Sequence, residues 1–346
     1  MISHDNITWT TRNITEHYMD LNHLDRAISY LPLSHIAAQL IDIYAIMTLG
    51  ACSYFAQPDA LKGSLTTTIK EVRPTFFFGV PRVWEKIQEK MAQLGRSSTG
   101  IKKLLSTWAK SMGAEHCRRL QYGNDGSAPC TYSCANALVL HRIKEALGLD
   151  QAKGCYSAAA PIAEETVRYF ASLDIPIFEV FGQSECTGPH TVSAPGQWRI
   201  GYCGRPIRGS ETKIAAGNQE LCYRGRHIFM GYMYMPDKTA ETIDEEGYLH
   251  SGDVAAFDSN DQRDVPRPSG FMKITGRIKE LIITAGGENV PPVLIEDAIK
   301  AATLAVSNVI VIGDKRKFLS ALVSLKVFKP RILTNKIVNN NNIKYF

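Results

Sequence analysis

The 346-residue sequence lacks most of the signals that would place it at a glance. No basic run stands out, and 39 basic residues against 34 acidic leave a net charge of +5, too small an excess to demand a nucleic-acid partner. The eight cysteines are scattered, and the closest pair, Cys130 and Cys134, has no second pair at zinc spacing. Reduced thiols in an intracellular protein are the simplest account. "MISHDNITWTTRN" at the amino end contains no apolar core of a secretory signal. The longest apolar stretch, Ile36 to Ala56, holds Gln39 and Asp42, which argues against a membrane span and for a buried helix running into a strand. These absences leave a soluble protein, at most peripheral to a membrane, and long enough for two domains.

What is present is an alternation of helices and short apolar strands. Phe76 to Val80 is a bulky strand; Pro81 then starts a helix whose Trp84, Ile87, Met91 and Leu94 share a face, and Gly95 stops it. Further helices are expected from Ile101 to Leu120, from Cys134 to Leu147 and from Pro161, the last followed by a strand over Ile177–Phe181. Such alternation predicts an α/β fold: a parallel sheet with flanking helices, whose ligands lie beyond the carboxyl ends of the strands. From Gly188 to about Gly276 short strands with frequent Gly and Pro predict a β-rich subdomain. Within it, Asp258 to Gly270 reads as a mobile polar loop. Beyond Arg277, a strand, a glycine turn, a helix led by prolines and two more strands make a small α+β unit, and the Asn-rich tail has no core pattern.

Four patches carry candidate chemistry, each with a plain alternative. In "EVFGQSECTG" a hydroxyl (Ser184) and a carboxylate (Glu185) follow a strand between glycines, which suits a metal-bound phosphate or an ordinary polar turn. "GYLHSGD" presents Asp253, able to accept two hydrogen bonds from a vicinal diol or to sit in a surface turn. "TGRIKELI" offers the forked donor Arg277, which suits an anion or simply solvent. "YSAAAPI" is a small-residue loop against which a flat ring could lie, and a tight helix start explains it equally well.

Taken in this order, with "YLPLSHIAAQ", "VRPTFFFGVPRVWEKI", "ALGLDQAKGCYSAAAPI", "GRHIFMGYM" and "GRIKELIITAGGENVPPVLIEDAI", the sequence resembles the adenylate-forming (AMP-binding) superfamily, and within it the bubblegum-type long-chain fatty acyl-CoA synthetases. The resemblance implies a partial large adenylate-forming domain over residues 1–278, a truncated mobile C-terminal domain over 279–328 and a disordered tail over 329–346. It implies a ligase that activates a long-chain fatty acid with ATP and Mg²⁺ to an acyl-adenylate and transfers the acyl group to CoA. It further implies a cytoplasmic location, with peripheral contact at the endoplasmic reticulum membrane, and no nucleic-acid partner. By the same resemblance Glu185 holds Mg²⁺, Ser184 touches the α-phosphate, and Phe181 and Gly182 face Ala158, Ala159 and Ala160 across the adenine. Asp253 grips the ribose with Arg277 beside it, Lys279 lies at the interdomain hinge, and His35 stands between acyl tunnel and thioester site. Gly286 and Gly287 lie on the loop that serves the CoA step.

The sequence also departs from the family pattern. The glycine-rich phosphate loop belongs upstream of "MISHDN", and the late family lysine lies beyond Lys326, where the resemblance lapses. "GSLTTTIKE" (Gly63–Glu71) has one glycine and falls where the family has a plain helix-to-strand segment, so it does not replace that loop. Ala158 stands for a usual glycine and Phe181 for a commoner tyrosine. Losing several charge-assisted hydrogen bonds, each about 1.5–3 kcal/mol, predicts that the chain alone is a weak or inactive ligase. The alternatives are a non-catalytic fragment with weak nucleotide binding and an adenylating enzyme of another kind, such as a carrier-protein loader.

Overall fold

A computed structural model describes residues 1–96, 99–258, 270–286, 289–303 and 305–325. They form two compact units that divide between Leu281 and Ile282.

The larger unit opens with helix α1 (His4–His17). Ser3 accepts the Asn6 amide and Asn6 accepts that of Ser3, a reciprocal cap that satisfies two donors at the helix start. Asn6 Nδ2 also donates to the carbonyls of Arg226 (2.6 Å) and Ile228 (2.9 Å), and Arg226 pairs with Asp5. Strands β1 (Arg26–Ser29) and β2 (Cys52–Phe55) pair in parallel. Between them α2 (Ile36–Ala38) passes through a π-helical segment, Gln39–Ala45, into α3 (Ile46–Leu49). The helix is buried at Leu40, Asp42 and Ala45, as expected, but β2 lies at a sheet edge with Phe55 71% exposed, so the apolar run outlasts the core. The segment Gly63–Glu71 is mostly helical, in α4 (Leu65–Val72).

The central sheet has five strands in sequential order. Strands β3 (Phe76–Gly79), β4 (Gly154–Ser157) and β5 (Ile177–Gln183) run parallel, and β6 (Gly188–Val192) and β7 (Arg205–Pro206) add antiparallel. Every residue of β3 and β4 is buried, as strands covered on both faces must be. Helix α5 (Pro81–Arg96) seats Trp84 in the core, where its indole N–H donates to the carbonyls of Gly79 and Tyr156. The expected apolar face holds only for its first part: Leu94 is 62% exposed, and the helix runs through Gly95 because it has already left the core.

Helix α6 (Gly100–Leu120) and α7 (Tyr132–Ala135), continuing through π-helical Asn136–Leu140 into α8 (His141–Leu147), cover one side. Buried Asp174 ties them together, meeting His116 Nδ1 at 2.6 Å, Tyr132 OH at 2.7 Å and Lys144 Nζ at 2.6 Å. Helix α9 (Glu164–Ser172) starts three residues later than Pro161, because Ala163 is extended and its carbonyl receives the first helical amides.

The β-rich part is a four-stranded antiparallel sheet, β8 (Glu211–Ile214), β9 (Glu220–Arg224), β10 (Leu249–Phe257) and β11 (Met272–Arg277), with α10 (Pro236–Thr242) in the β9–β10 connection. Its inner face packs Leu221, Tyr223, Leu249, Ala255 and Met272 with Cys186 from the turn between β5 and β6. Residues 259–269 of the loop expected to be mobile lie outside the described residues, as do 326–346, which include the whole expected tail 329–346.

The smaller unit pairs β12 (Ile282–Ile283) with β13 (Asn289–Val290) and β14 (Val306–Ile312) with β15 (Ser320–Leu325), and α11 (Pro292–Ala302) lies on β14. Its core is Ile282, Val306, Val309 and Val311. No described helix is long and apolar enough to cross a membrane.

Candidate functional site

The parallel strands β4 and β5 end side by side and deliver Ala158, Ala159, Gly182 and Gln183 to one cavity of about 700 Å³, open solvent at its mouth included. Its remaining walls are apolar: Ile14 of α1 and Tyr18 just after it, Ile36, Leu40 and Ile41, and the rings of Phe76, Phe78 and Tyr156. His35 stands on the lining, its Nδ1 accepting the Ala37 amide at 3.1 Å, which leaves the proton on Nε2. Alternation sets the facing of Val180 and Phe181, and a register shift between Phe181 and Gly182 then interrupts it. Val180 and Gly182 line the cavity, whereas Phe181 packs with the cluster of Cys186 and Tyr223. Phe181 and Gly182, expected to act together across a ring, therefore present different faces, and Ala160 is exposed and outside the lining.

The glycines have a cause that the sequence does not announce. A Cβ on Gly182 would meet the Gly188 carbonyl oxygen at 1.8 Å, and one on Gly188, at φ 101°, would meet Leu40 Cδ1 at 2.5 Å. Strand-to-strand closeness thus demands glycine before any ligand does. Opposite them, Ala159 holds φ 74°, a left-handed conformation costly for a residue with a side chain.

Ser184, Glu185 and Cys186 form a 3-10 turn directly after β5. Cys186 is buried and anchors the turn, with Sγ 3.1 Å from the Gly188 carbonyl, while Ser184 projects outward. Glu185 is fixed twice: its carbonyl receives the Phe229 amide at 2.8 Å, and its Oε1 accepts from Tyr232 OH at 2.8 Å. Oε2 has no hydrogen-bond partner among the described residues, so one carboxylate oxygen is held in place and the other is available. A single oriented carboxylate suits Mg²⁺, which takes one or two protein carboxylates and completes its shell with phosphate and water. Tyr232 was not singled out from sequence, although it lies within "GRHIFMGYM".

Asp253 and Arg277 face each other as register partners on β10 and β11, with Arg277 Nε 3.3 Å from Asp253 Oδ1. Burial pushes the Asp253 carboxyl above its ordinary value, and Arg277 opposes that shift. The turn before it is held by Glu220, whose Oε1 accepts the Gly252 amide at 2.9 Å. Gln183 Nε2 donates to Tyr223 OH at 2.8 Å, tying the cavity wall to the sheet that carries Asp253. Two further carboxyls of the larger unit are shifted upward. Burial raises Asp42 to about 6 against a hydrogen bond from Ser29, and burial with Glu164 raises Glu179 to about 8 against Lys273.

Lys279 is exposed in a 3-10 turn, Ile278–Glu280, at the end of the larger unit. Gly286 is exposed in the smaller unit, and Gly287 lies outside the described residues. The structure thus gathers His35, Ala158, Ala159 and Gly182 on one cavity, pairs Asp253 with Arg277, and sets Glu185 at the edge between wall and sheet.

Comparison with known proteins extends these placements. Residues 1–233 match the AMP-binding enzyme family and residues 279–341 its C-terminal domain, which carries the likeness past Lys326. The long-chain-fatty-acid–CoA ligase ACSBG2 of Xenopus laevis is 52% identical, over 94% of this chain and 44% of its own length. ACSBG2 of Gallus gallus is 49% identical, over 94% and 42%, and the human long-chain-fatty-acid–CoA ligase ACSBG1 is 45% identical, over 94% and 44%. The chain therefore spans less than half the length of these relatives. Among solved structures, o-succinylbenzoate CoA synthetase of Bacillus subtilis with its acyl-adenylate intermediate aligns with a TM-score of 0.67 at 16% identity, over 95% of this chain and 57% of that one. The ATP-bound RpMatB-BxBclM chimera B3 aligns at 0.66 and 21% identity, over 95% and 56%. At these identities the two structures attest the fold.

Proposed function

The chain belongs to the AMP-binding enzyme family, and we propose that it serves the activity carried by its relatives' name: ligation of a long-chain fatty acid to CoA at the cost of ATP. The observation that carries this reading is the apolar cavity whose wall is the end of β5, with Ser184 and Glu185 following without a break. A chamber for an alkyl chain and a carboxylate for a metal-bound phosphate are thereby neighbours on one strand end.

In the first step a fatty carboxylate oxygen attacks the α-phosphorus of ATP, the bond to pyrophosphate breaks, and an acyl-adenylate forms. In the second the CoA sulfur attacks the acyl carbon, the bond to AMP breaks, and the thiol proton leaves to solvent. No side chain need become covalently attached, so the protein's task is positioning and charge stabilisation. Glu185, braced by Tyr232, would hold Mg²⁺, which supplies neutralisation of phosphate charge. Asp253 accepts from the two ribose hydroxyls, and Arg277 opposes the upward shift that burial imposes on its carboxyl. His35 fixes the rim of the chamber where the carboxylate must emerge.

The test is nucleotide binding by the chain together with oleate-dependent ATP–pyrophosphate exchange. Asp253→Asn and Glu185→Gln should each weaken Mg-ATP binding about tenfold or more, equivalent to about 1.4 kcal/mol, with the thermal midpoint within a few degrees of the parent. Unaltered binding in both variants overturns the site. Retained binding without exchange supports the non-catalytic alternative.

A further inference from the structure

On the antiparallel sheet, away from the cavity lining, three side chains of different chemistry meet. Glu220 and Cys222 are two residues apart on β9 and so share a face. His250 is the register partner of Cys222 across the β9–β10 pair. Backbone pairing alone therefore brings the three together: one oxygen, one sulfur and one nitrogen donor, all within 4.8 Å of one another. His250 Nδ1 lies 3.0 Å from Glu220 Oε2 and 3.5 Å from Cys222 Sγ. A tetrahedral ion with bonds of about 2.0 Å to N and O and about 2.3 Å to S requires separations of roughly 3.3 and 3.5 Å. Small side-chain motions suffice to reach that geometry.

The surroundings favour a cation as well. Asp244 Oδ2 sits 3.5 Å from His250 Nε2, on the far side of the ring, where a carboxylate fixes the tautomer that leaves Nδ1 free for a metal. The nearby ammonium of Lys213 is engaged by Asp244 (3.1 Å) and Glu246 (2.9 Å). Asn218 Nδ2 approaches Glu220 Oε2 at 3.4 Å, and Oε1 is occupied by the Gly252 amide, so the carboxylate is oriented in advance. Cys222 is fully buried, while the His250 ring is about one-third exposed and gives a path of entry.

We propose that Glu220, Cys222 and His250 bind a thiophilic divalent cation of zinc type, independently of the ligase reading. Binding replaces the thiol proton of Cys222, which leaves to solvent, by a metal–sulfur bond, and it braces the turn at Gly252 next to Asp253. The test uses the full chain with the exposed Cys52, Cys130 and Cys134 replaced by serine, titrated with Co²⁺ as spectroscopic probe and then with Zn²⁺ as competitor. A single thiolate-to-cobalt charge-transfer band, saturating at one equivalent, is expected; Cys222→Ser abolishes it and His250→Gln weakens binding at least about tenfold. No band, a band that survives Cys222→Ser, or equal affinity in His250→Gln overturns the proposal. Should Cys222→Ser fail to fold, X-ray absorption of the zinc-loaded triple-serine protein decides: one sulfur with nitrogen and oxygen neighbours supports the site, and a shell without sulfur refutes it.

Discussion

Along the cavity wall, Gly182 has no alternative, because the Gly188 carbonyl occupies the place where any side chain would begin. On the ledge formed by β9, β10 and β11, the position of Asp253 is instead set by strand register and a side-chain partner, Arg277, that is itself two-thirds exposed. The wall is shaped by backbone contact and tolerates no change; the ledge is shaped by pairing and tolerates change of shape but not of charge. Residues that shape a site and residues that touch a ligand are thus separable by experiment, the former failing in stability and the latter in binding.

The largest effect should come from the wall. Gly182→Ala forces β5 and β6 apart and is expected to cost on the order of 3 kcal/mol or more, read by denaturant unfolding. A loss below about 1 kcal/mol would show the two strands to be looser than the structure has them. Asp253→Asn, the ledge counterpart, should leave unfolding nearly unchanged while it weakens nucleotide binding, and reversed outcomes for the two variants would erase the distinction.

A middle effect concerns pH. The Glu179 carboxyl is raised from 4.5 to about 8, so the fold prefers its protonated form. The stability this contributes is complete below the unfolded value and disappears as pH climbs through about 8. Thermal midpoints should therefore fall between about pH 6 and about pH 9, with a loss of roughly 2–3 kcal/mol in stability, and Glu179→Gln should flatten the curve. An unchanged slope in the variant assigns the dependence to another group. The smallest effect is expected at Ala159, whose positive φ a glycine adopts without strain. Relief of about 1 kcal/mol is partly offset by the greater freedom of glycine in the unfolded chain, so Ala159→Gly should raise stability by no more than about 1 kcal/mol. A clear loss would mean that the methyl, not the backbone, matters there.

The motifs at Ala158, Ser184 and Arg277 were legible in sequence because each lies at or just past a strand end, which composition marks; Asp253 lies inside β10 and was legible by its motif alone. Phe76–Gly79, the Ile177–Phe181 part of β5 and the Pro81 helix start could be read from local pattern alone. What could not be read depends on partners distant in the chain. The facing of Phe181 follows from which side of β5 the antiparallel sheet covers, and the Tyr232–Glu185 bond spans 47 residues. The meeting of Cys222 with His250 spans 28 residues and is fixed by a register that no single-strand pattern encodes. Leu94 erred in the other direction, since helical periodicity continued where the core had already ended.

Helix α1 holds one last consequence. Its Asn6 is anchored to carbonyls of Arg226 and Ile228, 220 and 222 positions further on. At synthesis rates of about 5–20 residues per second, the helix leaves the ribosome on the order of tens of seconds before its anchorage exists. Throughout that interval the helix has only near segments such as Gln39–Ala45 to lean on, while the partners that bury Tyr18, namely Val192, Ala194 and Ile207, are still unmade.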